Sequence, residues 1–363
     1  MYWLSTHAGP IGALLAASRR LPAMRPSPPR HRPSLRELAV RLGVDEATFD
    51  RACSALTGDG DNARSIPRRA ATAEPPRLNA NDTPFQFALS HRTTGMARRL
   101  LSDPGHGFYA PGGDTSSKMA AIRRAFALWQ AGSLFPLIAS AARAFGSDAA
   151  AAPPRIPDAV LGVSLDGPGA AVYFRIDPSG AAAAWTVLSQ WVATQFSNGA
   201  RVQKLVAGLA GAAHLVGVGI EGVDTRPGRL KIYWQLDQPL PLADIKAPFV
   251  GDPAIARFLA LAVGEARIGL HALFFSTAFC LRTGDAVDGK IDICGHCVPR
   301  PLPAWQQIID QVAAAHGLVS GDFAPSEAPR HHRDDSLTVE FVGMGLDRHH
   351  AYRLNVYFSE PAA

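Results

Sequence analysis

Two neighbouring stretches decide the fold of this chain: Leu215-Val-Gly-Val-Gly-Ile-Glu-Gly-Val-Asp224 and, after the turn Arg226-Pro-Gly228, Arg229-Leu-Lys-Ile-Tyr-Trp-Gln-Leu236. Apolar runs on both sides of a Pro-Gly turn predict a β-hairpin. Apolar and polar residues alternate in the second run, so its strand should present one apolar and one polar face. Lys231 and Tyr233 lie on the polar face.

Three more predicted hairpins repeat this pattern along the chain. They comprise residues 160–166 with 171–176, 272–282 with 290–294, and 337–344 with 352–358. Helical segments at 181–213, 252–265 and 303–316 lie between the hairpins, so the order αββ recurs. A further alternating stretch at 85–91 could belong to a fifth unit. The sequence therefore predicts an α/β (α+β) fold, an antiparallel β-barrel of repeated αββ units with helices outside.

A cationic side chain recurs on the polar face of every predicted hairpin, and a tyrosine often accompanies it. The cations are Arg175, Lys231, Lys290 and Arg353, and the tyrosines are Tyr173, Tyr233 and Tyr357. In an ordinary antiparallel sheet such a face meets water. In a closed sheet the same side chains would line a lumen. A lumen of cations and tyrosines suits a small polyanion bound beside an apolar or aromatic group.

The αββ repeats with Lys/Arg-x-Tyr strands resemble the ABBA-type aromatic prenyltransferases, in which ββ hairpins close a ten-stranded barrel inside a ring of helices. The likeness is greatest to the cyanobactin-type peptide prenyltransferases. It extends from Thr115 to the C-terminus and has its core between Trp191 and Leu236. There Gly219-Ile-Glu-Gly-Val-Asp-Thr-Arg226 is followed by Leu230-Lys-Ile-Tyr233.

This resemblance implies transfer of a dimethylallyl or longer isoprenyl group from its diphosphate to an aromatic or peptide side-chain acceptor. The diphosphate-binding residues it implies are Arg175, Lys231, Lys290 and Arg353, and the residues that would shield the carbocation are Tyr173, Tyr233 and Tyr357. No DDxxD motif is present in the sequence. We therefore expect no required cofactor, although a role for Mg2+ stays open.

The resemblance also implies a carboxylate that takes a proton from the acceptor. The family usually places it early on the first barrel strand, where the position that lines up best here is Gly162. The candidates for a catalytic carboxylate elsewhere are Glu221, Asp292 and Glu340.

The sequence before the barrel differs in character from the rest. Residues 1–84 are predicted to be a Pro/Arg-rich N-terminal extension with a small helical pair at 35–56, and residues 85–363 the barrel. The pair resembles a helix-turn-helix, but its second helix carries Asp45, Glu46 and Asp50 against Arg51, and acidic residues repel phosphate. We interpret it as a packing or docking element and expect the extension to be dispensable for the barrel. The alternative function is a non-catalytic barrel, or a helix-turn-helix-bearing protein that binds a ligand or nucleic acid.

Composition bounds the remaining possibilities. The chain has 363 residues, of which 47% are hydrophobic and 18% charged, so it can bury a sizeable core. Thirty-six Lys and Arg against 31 Asp and Glu is too small an excess to indicate nucleic acid. No apolar run is long enough to span a membrane. Four cysteines do not make a disulfide framework, so we expect a cytoplasmic protein. We also expect a monomer that has no nucleic-acid or membrane partner.

The sequence Cys294-Gly-His-Cys297 spells a dithiol motif. Thiol-disulfide catalysis needs the first cysteine at a helix N-terminus, whereas here a strand precedes it and prolines follow. A zinc site formed by Cys280, Cys294, His296 and Cys297 is an alternative. Ordinary half-buried cysteines are the interpretation we prefer, and we assign no metal ligands.

Overall fold

The computed structural model describes residues 34–57, 79, 83, 85–102, 115–146, 159–176, 181–196, 198–223, 226–264, 268–323 and 337–360. Its centre is a closed barrel of ten antiparallel strands, each paired with its neighbours in sequence, with the first and last strands closing the ring. Leu89 lies opposite Val356 at this closure. The strands are β1 Phe85–Arg92, β2 Gly95–Ser102, β3 Ala159–Ser164, β4 Ala170–Arg175, β5 Ala213–Val223, β6 Arg226–Leu236, β7 Leu273–Cys280, β8 Ala286–Cys294, β9 Thr338–Asp347 and β10 Tyr352–Ser359.

The helices lie outside this barrel, as the sequence predicts. They are α1 Leu35–Arg41, α2 Glu46–Thr57, α3 Thr115–Leu128, α4 Phe135–Phe145, α5 Ala181–Gln195, α6 Ala200–Leu209, α7 Pro253–Val263 and α8 Leu302–His316. The apolar strand faces and the helices share one hydrophobic core, in which Trp234 stacks on Phe275 with ring centroids 4.5 Å apart. Among the described residues, no helix combines the length and apolar character needed to cross a bilayer.

A fifth hairpin completes the ring. The alternating stretch at 85–91 is β1, and its partner, which sequence reasoning did not find, is β2. Phe87 lies opposite Leu100, and the connection is the two-residue turn Thr93-Thr94. Gly95 ends that turn with a φ of +130°, a conformation that a glycine adopts without strain. The glycine that follows the alternating stretch was therefore the feature of the sequence that could have indicated a turn and a second strand.

The N-terminal helical pair packs on the barrel. Ser34 caps α1 in a capping box with Glu37, and Asp45 accepts the Thr48 backbone N–H at 2.9 Å, as expected for the cap of α2. Leu35 and Leu38 are buried in the same core as the barrel strands. The division of the chain at residue 84 stays a prediction, and residues 1–33 and 58–78 lie outside the described part.

Two arginines add polar contacts between the helical pair and the rest of the chain. The Arg41 guanidinium donates to the Phe323 carbonyl at 2.6 Å. The Arg98 guanidinium, on β2, donates to the Leu42 carbonyl at the end of α1. The pair is therefore joined to the barrel by hydrogen bonds as well as by apolar contacts.

Candidate active site

The polar strand faces enclose a cavity of about 210 Å³ in the barrel lumen. All four predicted cations and all three predicted tyrosines line it, which is the arrangement expected of a closed sheet. They are Arg175, Lys231, Lys290, Arg353, Tyr173, Tyr233 and Tyr357. Within the described part of the chain, seven Lys and Arg side chains line this cavity, against the single carboxylate of Asp292. The lumen is therefore built to attract an anion.

Glu221, on β5, is buried beneath three of these cations. Its carboxylate lies 3.0 Å from Arg99 and 3.2 Å from Lys231, and it also pairs with Arg229. Burial disfavours the charged carboxylate, but the three cations outweigh it and hold the pKa of Glu221 well below its usual range. Glu221 is thus a permanent anion that positions cations, and a poor proton acceptor.

Asp288, on β8, holds the second group of cations. It lies 2.8 Å from Arg229 and 2.7 Å from Arg353 and is 1% exposed. Burial would raise its pKa, but Arg353 and Arg229 outweigh that effect and lower it. Arg229 therefore bridges Glu221 and Asp288, and the two buried carboxylates orient the guanidinium groups toward the cavity.

Lys231 differs from its neighbours in its protonation. Burial lowers its pKa to about 7, and the attraction of Glu221 offsets this only in part because Arg229 and Arg353 repel the ammonium. Its charge is therefore sensitive to any anion that enters the lumen.

Lys290 and Asp292 form a separate ion pair further along β8. The Lys290 ammonium lies 2.6 Å from the Asp292 carboxylate and donates to the Tyr357 hydroxyl at 3.0 Å. Burial alone would lower the pKa of Lys290, but Asp292 and Tyr357 raise it above its usual value. Asp292 Oδ1 is buried with no hydrogen-bond partner.

Aromatic rings line the cavity together with the cations. Tyr173 and Tyr233 meet edge to face with ring centroids 5.7 Å apart. Phe341 has edge-to-face contacts with Phe274 at 5.7 Å and with Tyr357 at 6.1 Å. Aromatic faces stabilise a cation and exclude water. The same cavity therefore offers cationic side chains for an anion and aromatic rings for a cation.

Two lumen glycines make room for these side chains. A Cβ at Gly219 would lie 2.5 Å from the Tyr173 ring, and a Cβ at Gly343 would lie 1.9 Å from Asp292 Oδ1. Both distances are too short for any other residue unless a neighbour moves. The glycines on β5 and β9 therefore leave the space that Tyr173 and Asp292 occupy.

The candidate carboxylates thus lie in different surroundings. Asp292 lines the cavity, whereas Glu221 lies behind its cations. Glu340 is buried, accepts a hydrogen bond from Ser359 at 2.6 Å, and is not among the cavity-lining side chains. Gly162 brings no carboxylate to the third strand.

Sequence reasoning missed four charged residues of this site, one of which is Arg92 at the end of β1. Arg99 lies on the unrecognised strand β2, which is why it went unnoticed. Arg229 and Asp288 lie two residues before Lys231 and Lys290, so they share the same strand faces. One further step of the alternation would have found both. The aromatic Phe274 and Phe341 were missed too, on the first strands of their hairpins.

The alternative of a zinc site with four ligands is wrong because Cys280 does not lie near the other three. Cys280 ends β7 and Cys294 ends β8, and these antiparallel strands pair Leu273 with Ile293. The two cysteines consequently lie at opposite ends of the barrel. Burial raises the pKa of both Cys294 and Cys297, whereas a redox-active dithiol needs a lowered pKa.

No family model and no curated protein sequence matches the chain. Solved structures do match it. 5-Dimethylallyltryptophan synthase from Streptomyces coelicolor is similar with a TM-score of 0.70 and 17% identity over 90% of this chain and 95% of that one. Prenyltransferase PriB, solved with L-tryptophan and dimethylallyl thiolodiphosphate, has a TM-score of 0.67 and 18% identity over 90% and 96%. AnaPT from Neosartorya fischeri has a TM-score of 0.65 and 13% identity over 90% and 91%.

These likenesses show the fold. The chain forms the ten-stranded barrel, with helices outside, of the ABBA-type aromatic prenyltransferases. The similarity covers nearly the whole of each compared structure, so the ring of strands, and not a fragment of it, is shared.

Proposed function

We propose that this protein is a prenyltransferase that moves a dimethylallyl or longer isoprenyl group from its diphosphate to an aromatic acceptor. One observation carries the proposal: a single lumen lined by both cations and aromatic rings. The common fold of the compared structures supports the proposal. One of them is named 5-dimethylallyltryptophan synthase, and another was solved with dimethylallyl thiolodiphosphate.

The diphosphate would bind among the cations held by Glu221 and Asp288. Arg99, Lys231 and Arg353 have little freedom because each is paired to one of these buried carboxylates. Guanidinium groups fixed in this way can each donate two hydrogen bonds to a phosphate. Arg175 lines the cavity at the end of β4 and adds a further positive charge.

The proposed reaction uses both the cations and the aromatic rings that line the lumen. The bond between C1 of the prenyl group and the diphosphate oxygen breaks, and its electron pair leaves with the diphosphate, whose growing charge the cations stabilise. The allylic cation is held against the rings of Tyr173, Tyr233 and Tyr357, which exclude water. A carbon of the acceptor ring attacks C1, and the ring then loses a proton. We assign that proton to Asp292, because its side chain is the one carboxylate among the described residues that line the cavity.

An apolar patch in the lumen offers a place for the acceptor. Ala88, Leu101 and Val160 form a cluster that packs against Tyr173 and Tyr357. We place the flat ring of the acceptor on the cavity surface that this cluster and the two tyrosines form together. A small aromatic amino acid such as tryptophan is therefore the first acceptor to test, and the peptide acceptors that a cyanobactin-type enzyme uses are the second.

The lumen carries enough positive charge to neutralise a diphosphate without a metal ion. We accordingly propose that transfer does not require Mg2+, and that a chelator leaves the rate unchanged.

The decisive experiment is incubation of the full chain with dimethylallyl or geranyl diphosphate and a panel of acceptors, read by mass spectrometry. The panel contains tryptophan, other indoles and phenols, and linear and cyclic peptides with aromatic residues, each with and without chelator. We expect a product heavier by one prenyl group. Tight binding of the diphosphate without product from any acceptor would instead favour the non-catalytic binding protein.

A further inference from the structure

Three potential metal ligands meet at the end of β8, and none of them is among the residues that line the lumen cavity. Cys294 is the last residue of the strand, and Gly295–Cys297 forms one turn of 3-10 helix. The ligand atoms of Cys294, His296 and Cys297 all lie within 4.8 Å of one another. From the sequence alone we preferred cysteines that bind no metal. The close approach of the three ligand atoms is visible only in the structure.

We propose that Cys294, His296 and Cys297 bind a soft divalent cation, with Zn2+ as the first choice. Thiolate and imidazole are the ligands that Zn2+ prefers, with bonds of about 2.3 Å to sulfur and 2.0–2.1 Å to nitrogen. Tetrahedral geometry with these bonds separates the ligand atoms by roughly 3.5–3.8 Å. Small side-chain rotations reach that spacing from the observed one.

The backbone of the turn is already in place for such a site. The Val298 N–H donates to the Gly295 carbonyl at 3.1 Å, which closes the turn. A Cβ at Gly295 would lie 1.9 Å from the Val339 carbonyl oxygen, so β9 packs directly on the turn. The ligands are consequently held by a fixed main chain, and little order has to be gained when the ion binds.

The three residues differ in how much they are exposed to solvent. Cys294 is buried, Cys297 is half-buried and His296 is exposed. An ion can therefore enter from the outside and bind to a thiolate at the bottom of the site. Three protein ligands leave a fourth position for water. Since all three ligands belong to one short segment, the ion would hold the turn after β8 closed rather than join two elements.

The test uses the reduced, chelator-treated full chain and Co2+ as a spectroscopic probe. A thiolate bound to Co2+ gives a charge-transfer absorption that histidine clusters elsewhere in the chain cannot produce. We expect this absorption to saturate at about one Co2+ per chain and to disappear when Zn2+ is added. His296→Ala and Cys297→Ser should weaken Co2+ binding by at least about tenfold. These two variants are preferred to Cys294→Ser because their side chains are less buried and their loss should not prevent folding.

Matched controls come from the same chain. Cys280→Ser changes a buried cysteine at the other end of the barrel, and His271→Ala changes an exposed histidine next to β7, so both should bind Co2+ as the unmodified protein does. The proposal is overturned if no thiolate absorption develops, or if it is equally strong in His296→Ala and Cys297→Ser. A Cys294–Cys297 disulfide in a protein whose reduced form binds no Co2+ would also overturn it. The outcome is independent of prenyl transfer, which needs no residue of this turn.

Discussion

The ammonium of Lys290 lies 2.6 Å from the carboxylate of Asp292, with both side chains buried on the lumen face of β8. Among the described residues that line the cavity, Asp292 is the one carboxylate, and Lys290 links it to the ring of Tyr357. Tyr357 contacts this pair by accepting a hydrogen bond from Lys290. In the proposed reaction, a proton lost by the acceptor ring therefore has a carboxylate beside the tyrosines to accept it.

Asp292→Asn should abolish most of the transfer while leaving diphosphate binding intact. The amide keeps the size of the side chain but cannot take a proton, and general-base catalysis contributes about 10²- to 10⁴-fold. The measurement is kcat with saturating acceptor, beside calorimetric binding of a thiolodiphosphate analogue. Glu340→Gln is the matched control, because Glu340 is equally buried but does not line the cavity. Equal loss in both variants would show that burial, and not proton transfer, explains the effect.

Lys231→Ala and Arg353→Ala should each weaken binding of the prenyl diphosphate. A hydrogen bond from a charged group to a phosphate is worth about 1.5–3 kcal/mol, which corresponds to roughly ten- to a hundredfold in affinity. Calorimetry with dimethylallyl thiolodiphosphate measures this directly, and thermal unfolding checks that both variants fold. Lys204→Ala removes an exposed cation from α6 and serves as the control. Unchanged affinity in both lumen variants would place the diphosphate elsewhere.

Diphosphate affinity should fall as the pH rises above about 7. Burial lowers the pKa of Lys231 to about 7 in the empty lumen, so the side chain is charged below that pH and neutral above it. A bound anion favours the charged form, so binding above pH 7 takes up a proton and weakens by up to about tenfold per pH unit. Calorimetry in buffers of different ionisation enthalpy counts the proton.

Lys231→Arg provides the control for this pH dependence. An arginine keeps its charge throughout the range, so the proton uptake should vanish while binding persists. The same uptake in Lys231→Arg would assign the titration to another group.

Sequence alternation predicted which strand faces form the lumen but not which charges neutralise one another. Lys231 and Tyr233 could be assigned because they share a face within one strand. Glu221 was proposed as a base because nothing local shows that Arg99, from a strand more than a hundred residues earlier, pairs with it. That contact depends on ring closure and strand register, which are set by packing over the whole chain.

Gly343→Ala should reduce transfer by moving Asp292. The added Cβ would lie 1.9 Å from Asp292 Oδ1, so the carboxylate must shift away from its present position. Overpacking of this kind costs about 1–3 kcal/mol, so we also expect a lower melting temperature. Gly132→Ala is the control, because a Cβ there meets no atom within 4 Å. If Gly343→Ala keeps full activity, the exact position of Asp292 is not needed for the reaction.

Leu38→Ala, in the N-terminal helical pair, should destabilise the barrel itself. Leu38 is 2% exposed and belongs to the same hydrophobic core as the strands, so its truncation should cost about 2–5 kcal/mol. Val40 is on the same helix but 39% exposed, which makes Val40→Ala the matched control, with a melting temperature close to that of the unmodified protein. Thermal unfolding followed by tryptophan fluorescence reports on the barrel together with the helices around it, because Trp234 on β6 and tryptophans on the outer helices are all buried in one core. If the helices and barrel unfold together, this transition moves down in Leu38→Ala alone. A barrel transition that Leu38→Ala leaves in place would mean that the helical pair docks without supporting the core, and that residues 1–84 are dispensable for the barrel as the sequence led us to expect.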